Sequence, residues 1–208
     1  AAEDAHIKLA HWVDELGNPV DFTAGLWGAA LDVADSEEGD RNALALRKGI
    51  VLVETHEWGE RDIGATTRKA IDMLKPYPGI ECMYDSVGMG SNVKSEYNRL
   101  TIDDEIIDAT DILMVGWNAG ASGKAIKDPY FRLVEDDDTT PLNIDFFGNL
   151  KAQAWWALKM RFYRTWQAVT QGIRHPVDSL IILDTQSLTM IRQIEKELSQ
   201  PVMKPNSA

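Results

Sequence analysis

The chain has 208 residues and a formal net charge of −12, with a hydrophobic fraction of 44% that is typical of an ordinary globular protein. This length is enough for one sizeable α/β domain, and no run reaches the ~18 apolar residues that a membrane helix needs. A single cysteine, Cys82, excludes an internal disulfide and a multi-cysteine zinc site, and it favours a reducing compartment. The acidic balance argues against nucleic-acid binding, because phosphate contacts normally come with a basic surface, although a site for divalent cations is itself acidic.

The first part of the chain predicts a helix followed by three antiparallel strands. Residues 3–16 have helical apolar spacing, and Gly17-Asn-Pro19 ends that helix. The run Leu26–Val33 is apolar on both faces, as in a central strand. Asn42–Arg47 alternates like a strand, and Ile50–Val53 follows it after a short turn. These three strands predict an antiparallel meander.

The rest of the chain alternates between helices and strands. A strand over Ile80–Tyr84 is reached through a helix over 62–75, so we expect it to lie parallel to the first strand. The further predicted elements are a helix from Gly88 towards Arg99, a strand over Ile112–Val115, a long helix over Phe147–Val169 and a last helix over Ser187–Ser199. The predicted fold is α/β, with a mixed central sheet flanked by helices.

Two carboxylates stand at the ends of predicted neighbouring strands. Asp32 ends the first strand and Asp85 ends the fourth. The carboxyl ends of parallel neighbours point the same way, about 4.8 Å apart, at the edge where α/β sheets bind ligands. We expect Asp32 to be costly to bury without compensation, and a divalent cation would relieve the repulsion between the two acids. Oxygen ligands suit Mg²⁺ or Mn²⁺, whereas a turn or helix cap is the structural alternative for each Asp.

Glycine-rich segments do not match nucleotide-binding motifs. Gly88-Met-Gly90 lacks the third glycine of a dinucleotide fingerprint, and Gly120–Lys124 is followed by Ala125 instead of Ser or Thr, so it is not a Walker A loop. We expect Gly88 and Gly90 to form a tight turn that keeps Asp85 accessible. The four histidines lack metal-ligand spacing to one another.

Several segments together resemble the nuclease domains of tailed-bacteriophage large terminases, in the headful-packaging, P22-like branch. Leu31–Ala34 followed by Gly39–Leu44 resembles their first acidic motif, and Tyr84–Gly90 resembles their second. Asn149–Trp156 with the basic helix after it is similar to their late segment, and Glu197–Pro201 resembles the P22-like branch in particular. The resemblance covers nearly the whole chain, and the motifs occur in the same order.

The resemblance implies an RNase H-like fold and a Mg²⁺-dependent endonuclease that cuts double-stranded concatemeric viral DNA during genome packaging. It implies two Mg²⁺ ions, for which Mn²⁺ can substitute, in a two-metal phosphodiester hydrolysis. The implied partners are double-stranded DNA, an N-terminal ATPase domain of the same polypeptide, the small terminase subunit and the portal protein, with no membrane. The implied location is the host cytoplasm and, transiently, the procapsid portal.

The resemblance also assigns roles to individual residues. Asp32 and Asp85 become metal ligands and catalytic residues, with Asp40 and Asp35 as nearby acids. The family's third acidic motif has no counterpart before Ala208, which leaves Asp178 as the fallback ligand. Basic side chains that could contact phosphates without reading sequence are Lys94, Arg99, Lys124, Lys127, Lys151 and Arg161.

We expect residues 1–24 to be a helix and linker from the ATPase domain, and 25–208 to be the nuclease domain. Two alternatives stay open. One is a resolvase-like or transposase-like nuclease of the same fold. The other is a non-catalytic module that docks on a portal protein or an ATPase, in which the acids serve solubility.

Overall fold

A single six-stranded sheet organises the domain. The computed structural model describes residues 1–34, 41–102, 111–134 and 137–202. The strand order is β5-β4-β1-β2-β3-β6, where the strands are β1 Trp27–Asp32, β2 Asn42–Lys48, β3 Val51–Trp58, β4 Glu81–Asp85, β5 Leu113–Trp117 and β6 Ile182–Leu183. The first three strands form the predicted antiparallel meander, while β1, β4 and β5 run parallel, as do β3 and β6.

Within the described ranges, six α-helices flank the sheet. They are α1 Ala5–Lys8, α2 Ile63–Leu74, α3 Val93–Ile102, α4 Asn143–Phe146, α5 Leu150–Gln171 and α6 Ile191–Leu198. Capping fixes two of the starts: the side chain of Asp62 accepts from the Ala65 N–H, and that of Asn149 accepts from the Ala152 N–H. Gly172 ends α5 in a left-handed conformation with φ of 68°. None of the helices in the described ranges is both long and apolar enough to span a bilayer.

The main core lies on one face of the sheet only. Alternate residues of β1, β2, β4 and β5 pack there against α2 and α3, with Leu31, Leu46, Ile71 and Leu100 among the buried side chains. The next residues along β1 and β4 point to the other face, where Ala30 and Met83 are exposed. This uncovered part of the sheet is called the open face below.

The amino-terminal segment differs from its prediction in length and in packing. The helix covers Ala5–Lys8 instead of 3–16, and the chain then turns at Asp14, whose side chain accepts from the N–H groups of Leu16 and Asn18. Trp12 and Phe22 are buried in a cluster with residues of α5, β3 and β6. Residues 1–24 therefore contribute to the core of this domain, and their relation to an ATPase domain stays a prediction.

Candidate metal and nucleic-acid site

Asp32 and Asp85 end neighbouring parallel strands at the same edge of the sheet, as predicted. Leu31 of β1 pairs with Tyr84 of β4, so the next residue of each strand continues the same register. Leu31 and Tyr84 face the main core. Since side chains alternate along a strand, Asp32 and Asp85 both point to the open face, one strand spacing of about 4.8 Å apart. The pair is thus accessible to a ligand from solvent.

The expectation that Asp32 is costly to bury is wrong, because the residue is exposed. Its strand is apolar on both faces, but no helix of the described residues covers Ala30 and Asp32 on the open face. Within the described part of the chain, the Asp32 carboxylate accepts no hydrogen bond. The Asp32 carboxylate is suited to bind a cation because it is exposed and its oxygens are not engaged by the described residues.

A tight turn fixes the backbone after Asp85. The Asp85 Oδ1 atom accepts from the Val87 N–H at 3.1 Å, and the Ser86 N–H donates to the Trp117 carbonyl at 2.8 Å. Gly90 packs directly on the carbonyl oxygen of Asp85, where an added Cβ would overlap it, and Gly88 has a φ of +64°. The glycine pair therefore has the turn role predicted for it.

Asn42 is a buried polar residue that the motif reading did not single out. Its Oδ1 accepts from the Ala34 N–H at 3.0 Å, and its Nδ2 donates to the carbonyls of Trp58 and Glu60 at 3.3 and 2.7 Å. It is fully buried. Asn42 ties the chain just beyond Asp32 to the end of β3, so it supports the acidic edge from the adjacent strand.

Glu57 of β3 lies level with Asp85 and Asp32 across the sheet, and it forms an ion pair with Arg41. Asp32 pairs with Ala43 of β2, and Ala43 pairs with Glu57 of β3. Directly paired residues share a face, so Glu57 also points to the open face. Its Oε1 lies 3.3 Å from the Nε of Arg41. This pair was not predicted, because the polar stretch at the end of β3 lacks the alternation that marks a strand.

Three of the predicted basic residues lie close together on the β5 side of the acids. Lys124 and Lys127 are exposed in the segment that follows β5, and Lys151 is exposed in the first turn of α5. The Lys151 N–H donates to the Ala119 carbonyl at 3.0 Å, two residues after Trp117, which pairs with Asp85. The side chain of Gln153 holds Lys127 by hydrogen bonds to its N–H and its carbonyl at 2.8 and 2.7 Å. These bonds place the backbone segments that carry the three lysines next to the end of β5, the strand beside Asp85.

The other predicted basic residues have different surroundings. Lys94 is exposed in the first turn of α3, and Arg99 forms an ion pair with Glu96 at 3.0 Å. Arg161 is partly buried, and burial lowers the pKa of its guanidinium below the ordinary range. Arg161 donates to the carbonyls of Asp178 and Leu180, so it fastens α5 to the segment before β6. We therefore do not retain Arg161 as a phosphate contact.

Asp178 does not reach the acidic edge. It precedes β6, which pairs with the start of β3, whereas Asp32 lies level with the end of β3. Three strand spacings and several residues of strand length separate them, on the order of 20 Å. Its role as a third ligand is therefore wrong. Asp35 and Asp40 lie outside the described residues.

A second group with ligand-like geometry lies at the far edge of the sheet. Oxygen and nitrogen atoms of Asp4, His6 and Asp184 lie within 4.8 Å of one another, the one such group of three among the described residues. Its carboxylates already have partners: Asp4 accepts from the N–H and hydroxyl of Thr185, and Asp184 accepts from the hydroxyl of Ser187. The Asp4–Thr185 bonds tie the amino-terminal segment to the end of β6, whereas the buried Nδ1 atom of His6 has no hydrogen-bond partner among the described residues.

The donor set of the Asp32–Asp85 edge fits a hard divalent cation. Both side chains offer carboxylate oxygens, Asp32 makes no side-chain hydrogen bond to the described residues, and Asp85 commits one oxygen to the Val87 N–H. Oxygen donors suit Mg²⁺ and Mn²⁺. No third carboxylate of the described residues joins this pair.

The order β3-β2-β1-β4-β5, with acids at the carboxyl edge, is that of an RNase H-like domain. Among solved structures, the chain is similar to the nuclease domain of the large terminase subunit gp2 of bacterial virus Sf6, with 23% identity and a TM-score of 0.75. Mutant forms of that domain are similar too, one with manganese and β-thujaplicinol (22%, 0.74) and one with calcium (24%, 0.73). Each match covers 99% of this chain and 80% of the other.

At these identities the likeness establishes the fold, and it confirms the RNase H-like fold that the motifs predicted. No family model and no curated protein matches the chain. The chemistry of the site therefore rests on its own residues.

Proposed function

We propose that this chain is the nuclease domain of a large-terminase-like packaging protein, an endonuclease that cuts double-stranded concatemeric viral DNA with the help of divalent cations. The observation that carries the proposal is the placement of Asp32 and Asp85 side by side on the open face. The solved relatives are named as terminase nuclease domains, and two of them were determined with manganese or calcium. Mg²⁺ is the proposed physiological ion, with Mn²⁺ as a substitute.

Asp32 and Asp85 would hold the cations. The two residues would together hold the two proposed ions, since both oxygens of Asp32 are free of hydrogen bonds to the described residues and Asp85 commits only one oxygen, to the Val87 N–H. Bound divalent cations would supply Lewis-acid activation of water and would neutralise the charge that develops on the phosphate oxygens. The chain's own task is to fix these two carboxylates, and Gly90, Asn42 and the Ser86–Trp117 backbone hydrogen bond do so.

Lys124, Lys127 and Lys151 are proposed to contact the DNA backbone beside the acids. Their exposed ammonium groups would neutralise phosphates without reading base sequence, as packaging of arbitrary DNA requires. Lys94 is a further candidate on α3. An ATPase domain, a small terminase subunit and a portal protein are the proposed partners, in the host cytoplasm and at the procapsid portal.

The test compares plasmid cleavage by the chain and by its Asp32→Asn and Asp85→Asn variants, with Mg²⁺ and with Mn²⁺. Each substitution removes an anionic ligand while preserving shape, so we expect cleavage to fall at least ~10²-fold with an unchanged melting temperature without metal. Glu81→Gln is the matched control, because Glu81 is an exposed acid on the same face of β4 at its opposite end. Near-normal cutting by folded Asp32→Asn protein would contradict the proposal.

The two alternatives give different outcomes in the same experiment. A resolvase-like nuclease would cut a four-way DNA junction much faster than a linear duplex of the same length. A docking module would cut neither substrate, and its binding to a portal protein or ATPase would not respond to Asp32→Asn.

A further inference from the structure

The Arg41–Glu57 ion pair lies beside the proposed metal site on the open face. Arg41 lies one residue before β2, and its ion pair with Glu57, which points to the open face, places the Arg41 side chain beside that face. Glu57 lies two strands from Asp32 in the same register, about 10 Å away. Between them Ala43 offers only a methyl group, which leaves room above β2.

The geometry of the pair leaves part of the guanidinium available. Glu57 accepts at the Nε of Arg41, and the two terminal nitrogens of Arg41 have no acceptor within the described ranges. The Arg41 side chain is 53% exposed and the Glu57 side chain 25%. A guanidinium that is anchored through one nitrogen and open at two others presents a fixed fork, the arrangement that binds phosphate oxygens well.

Stability does not account for the pair. An ion pair with this exposure contributes little to folding, because solvent screens the charges and both side chains lose freedom. The anchored guanidinium instead has a consequence for ligand binding. Since Glu57 holds it in place, less side-chain entropy is lost when a phosphate binds.

We propose that Arg41, oriented by Glu57, binds a DNA phosphate that neighbours the scissile phosphodiester, on the side of the acids opposite to Lys124, Lys127 and Lys151. This inference rests on the proposed nuclease function, since it takes the scissile group to lie at Asp32 and Asp85. Cations then flank the acids on both sides, and the cleaved strand crosses the sheet from β5 towards β3. Arg41 is a substrate-binding residue, and Glu57 is a positioning residue that acts through it.

The first test measures binding of a duplex of about 30 base pairs to the chain as a function of salt, in Ca²⁺ so that turnover does not interfere. We expect Arg41→Ala to weaken binding several-fold to tenfold and to reduce the slope of log K against log salt by about one, the effect of losing one phosphate contact. Arg41→Lys keeps the charge and should restore most of the slope. Arg192→Ala, which removes an exposed arginine of α6, should leave the slope unchanged.

The second test uses single-turnover cleavage in Mn²⁺ and a double-mutant cycle with Glu57→Gln. Arg41→Ala should raise the DNA concentration for half-maximal rate more than it lowers the maximal rate. Glu57→Gln should reduce cleavage efficiency several-fold in the wild-type background and not at all in the Arg41→Ala background, because Glu57 acts only through Arg41.

Two results would overturn the inference. One is a salt slope for Arg41→Ala equal to that for Arg192→Ala. The other is an equal effect of Glu57→Gln in both backgrounds. If Asp32→Asn abolishes cutting while Arg41→Ala changes nothing, the inference alone fails. If Asp32→Asn cuts normally, the proposed nuclease function fails, whatever the salt slope of Arg41→Ala is.

Discussion

Gly90 sets the position of Asp85, and its replacement should damage the site more than the fold. A Cβ at position 90 would overlap the Asp85 carbonyl oxygen, far inside the 3.0 Å that real Cβ contacts keep. Relief requires the two groups to separate by about 1 Å or more in a close-packed interior. Because Asp85 ends its strand and leads into the turn, the displacement falls mainly on that residue. Overpacking of this kind costs about 1–3 kcal/mol of stability.

The expected loss of cleavage rate in Gly90→Ala is larger than the loss of folding stability alone would cause. A misplacement of about 1 Å at a catalytic group can cost on the order of 10²-fold in rate. We therefore expect Gly90→Ala to reduce metal-dependent plasmid cleavage by about 10²-fold at a temperature where the variant is still folded. Circular dichroism melting gives the folded fraction, and initial rates in saturating Mn²⁺ give the activity.

Gly88→Ala is the matched control for that experiment. Gly88 belongs to the same turn and has a φ of +64°, but a Cβ there would meet no atom within 4 Å. Its replacement should cost about 1–2 kcal/mol through backbone strain and should leave the cleavage rate of folded protein within about threefold of wild type. Wild-type cleavage by Gly90→Ala, or equal losses for both alanine variants, would refute the argument that Gly90 positions Asp85.

Three further predictions concern metal, packing and pH. Millimolar Mn²⁺ should raise the melting temperature by mass action, and Asp85→Asn but not Asp184→Asn should remove that shift; the reverse pattern would move the metal to the far edge. Asn42→Ala should cost about 2–4 kcal/mol in urea unfolding, because it leaves buried backbone groups unpaired; a loss below 1 kcal/mol would contradict this. The Tyr77 hydroxyl donates a hydrogen bond to Glu54 and lowers the pKa of that carboxyl. Glu54 therefore stabilises the fold above its ordinary pKa, and this stabilisation is lost as the pH falls through the lowered value. Glu54→Gln should flatten the decline of the free energy of unfolding at acid pH, and the same dependence on pH in both proteins would count against the argument.

The sequence predicts the sheet well where a single rule decides the arrangement. The helix between Ile50–Val53 and Ile80–Tyr84 forces a crossover, and crossovers join parallel strands, so Asp85 had to lie beside Asp32 if β4 neighboured β1. The observed register, Leu31 opposite Tyr84, brings the two acids level. Local patterns and one topological rule are enough for this part of the site.

Other parts were not predictable from local patterns, because tertiary contacts decide them. β3 continues through polar residues as far as Trp58, since Glu54 bonds to Tyr77 and Glu57 pairs with Arg41. These polar residues break the alternation that marks a strand. Their partners are far apart in sequence, so local patterns could not predict this part of β3. The amino-terminal helix is short for a related reason. Trp12 is buried only because the chain reverses at Asp14 and packs on α5, and helical spacing alone cannot predict this.

The formal charge of −12 belongs to the whole chain, while a DNA strand meets only one edge of the sheet. Charges separated by more than about 8–10 Å are largely screened at physiological salt. Some of the acids lie away from that edge: Glu3 and Glu195 lie close enough together to raise the pKa of Glu195, on the side of β6. In the proposed function, DNA would meet Lys124, Lys127 and Lys151 on the β5 side of the carboxylates and Arg41 on the β3 side. With cations bound between Asp32 and Asp85, the local charge balance would be compatible with a polyanion, and this is how the proposed function answers the objection from overall composition.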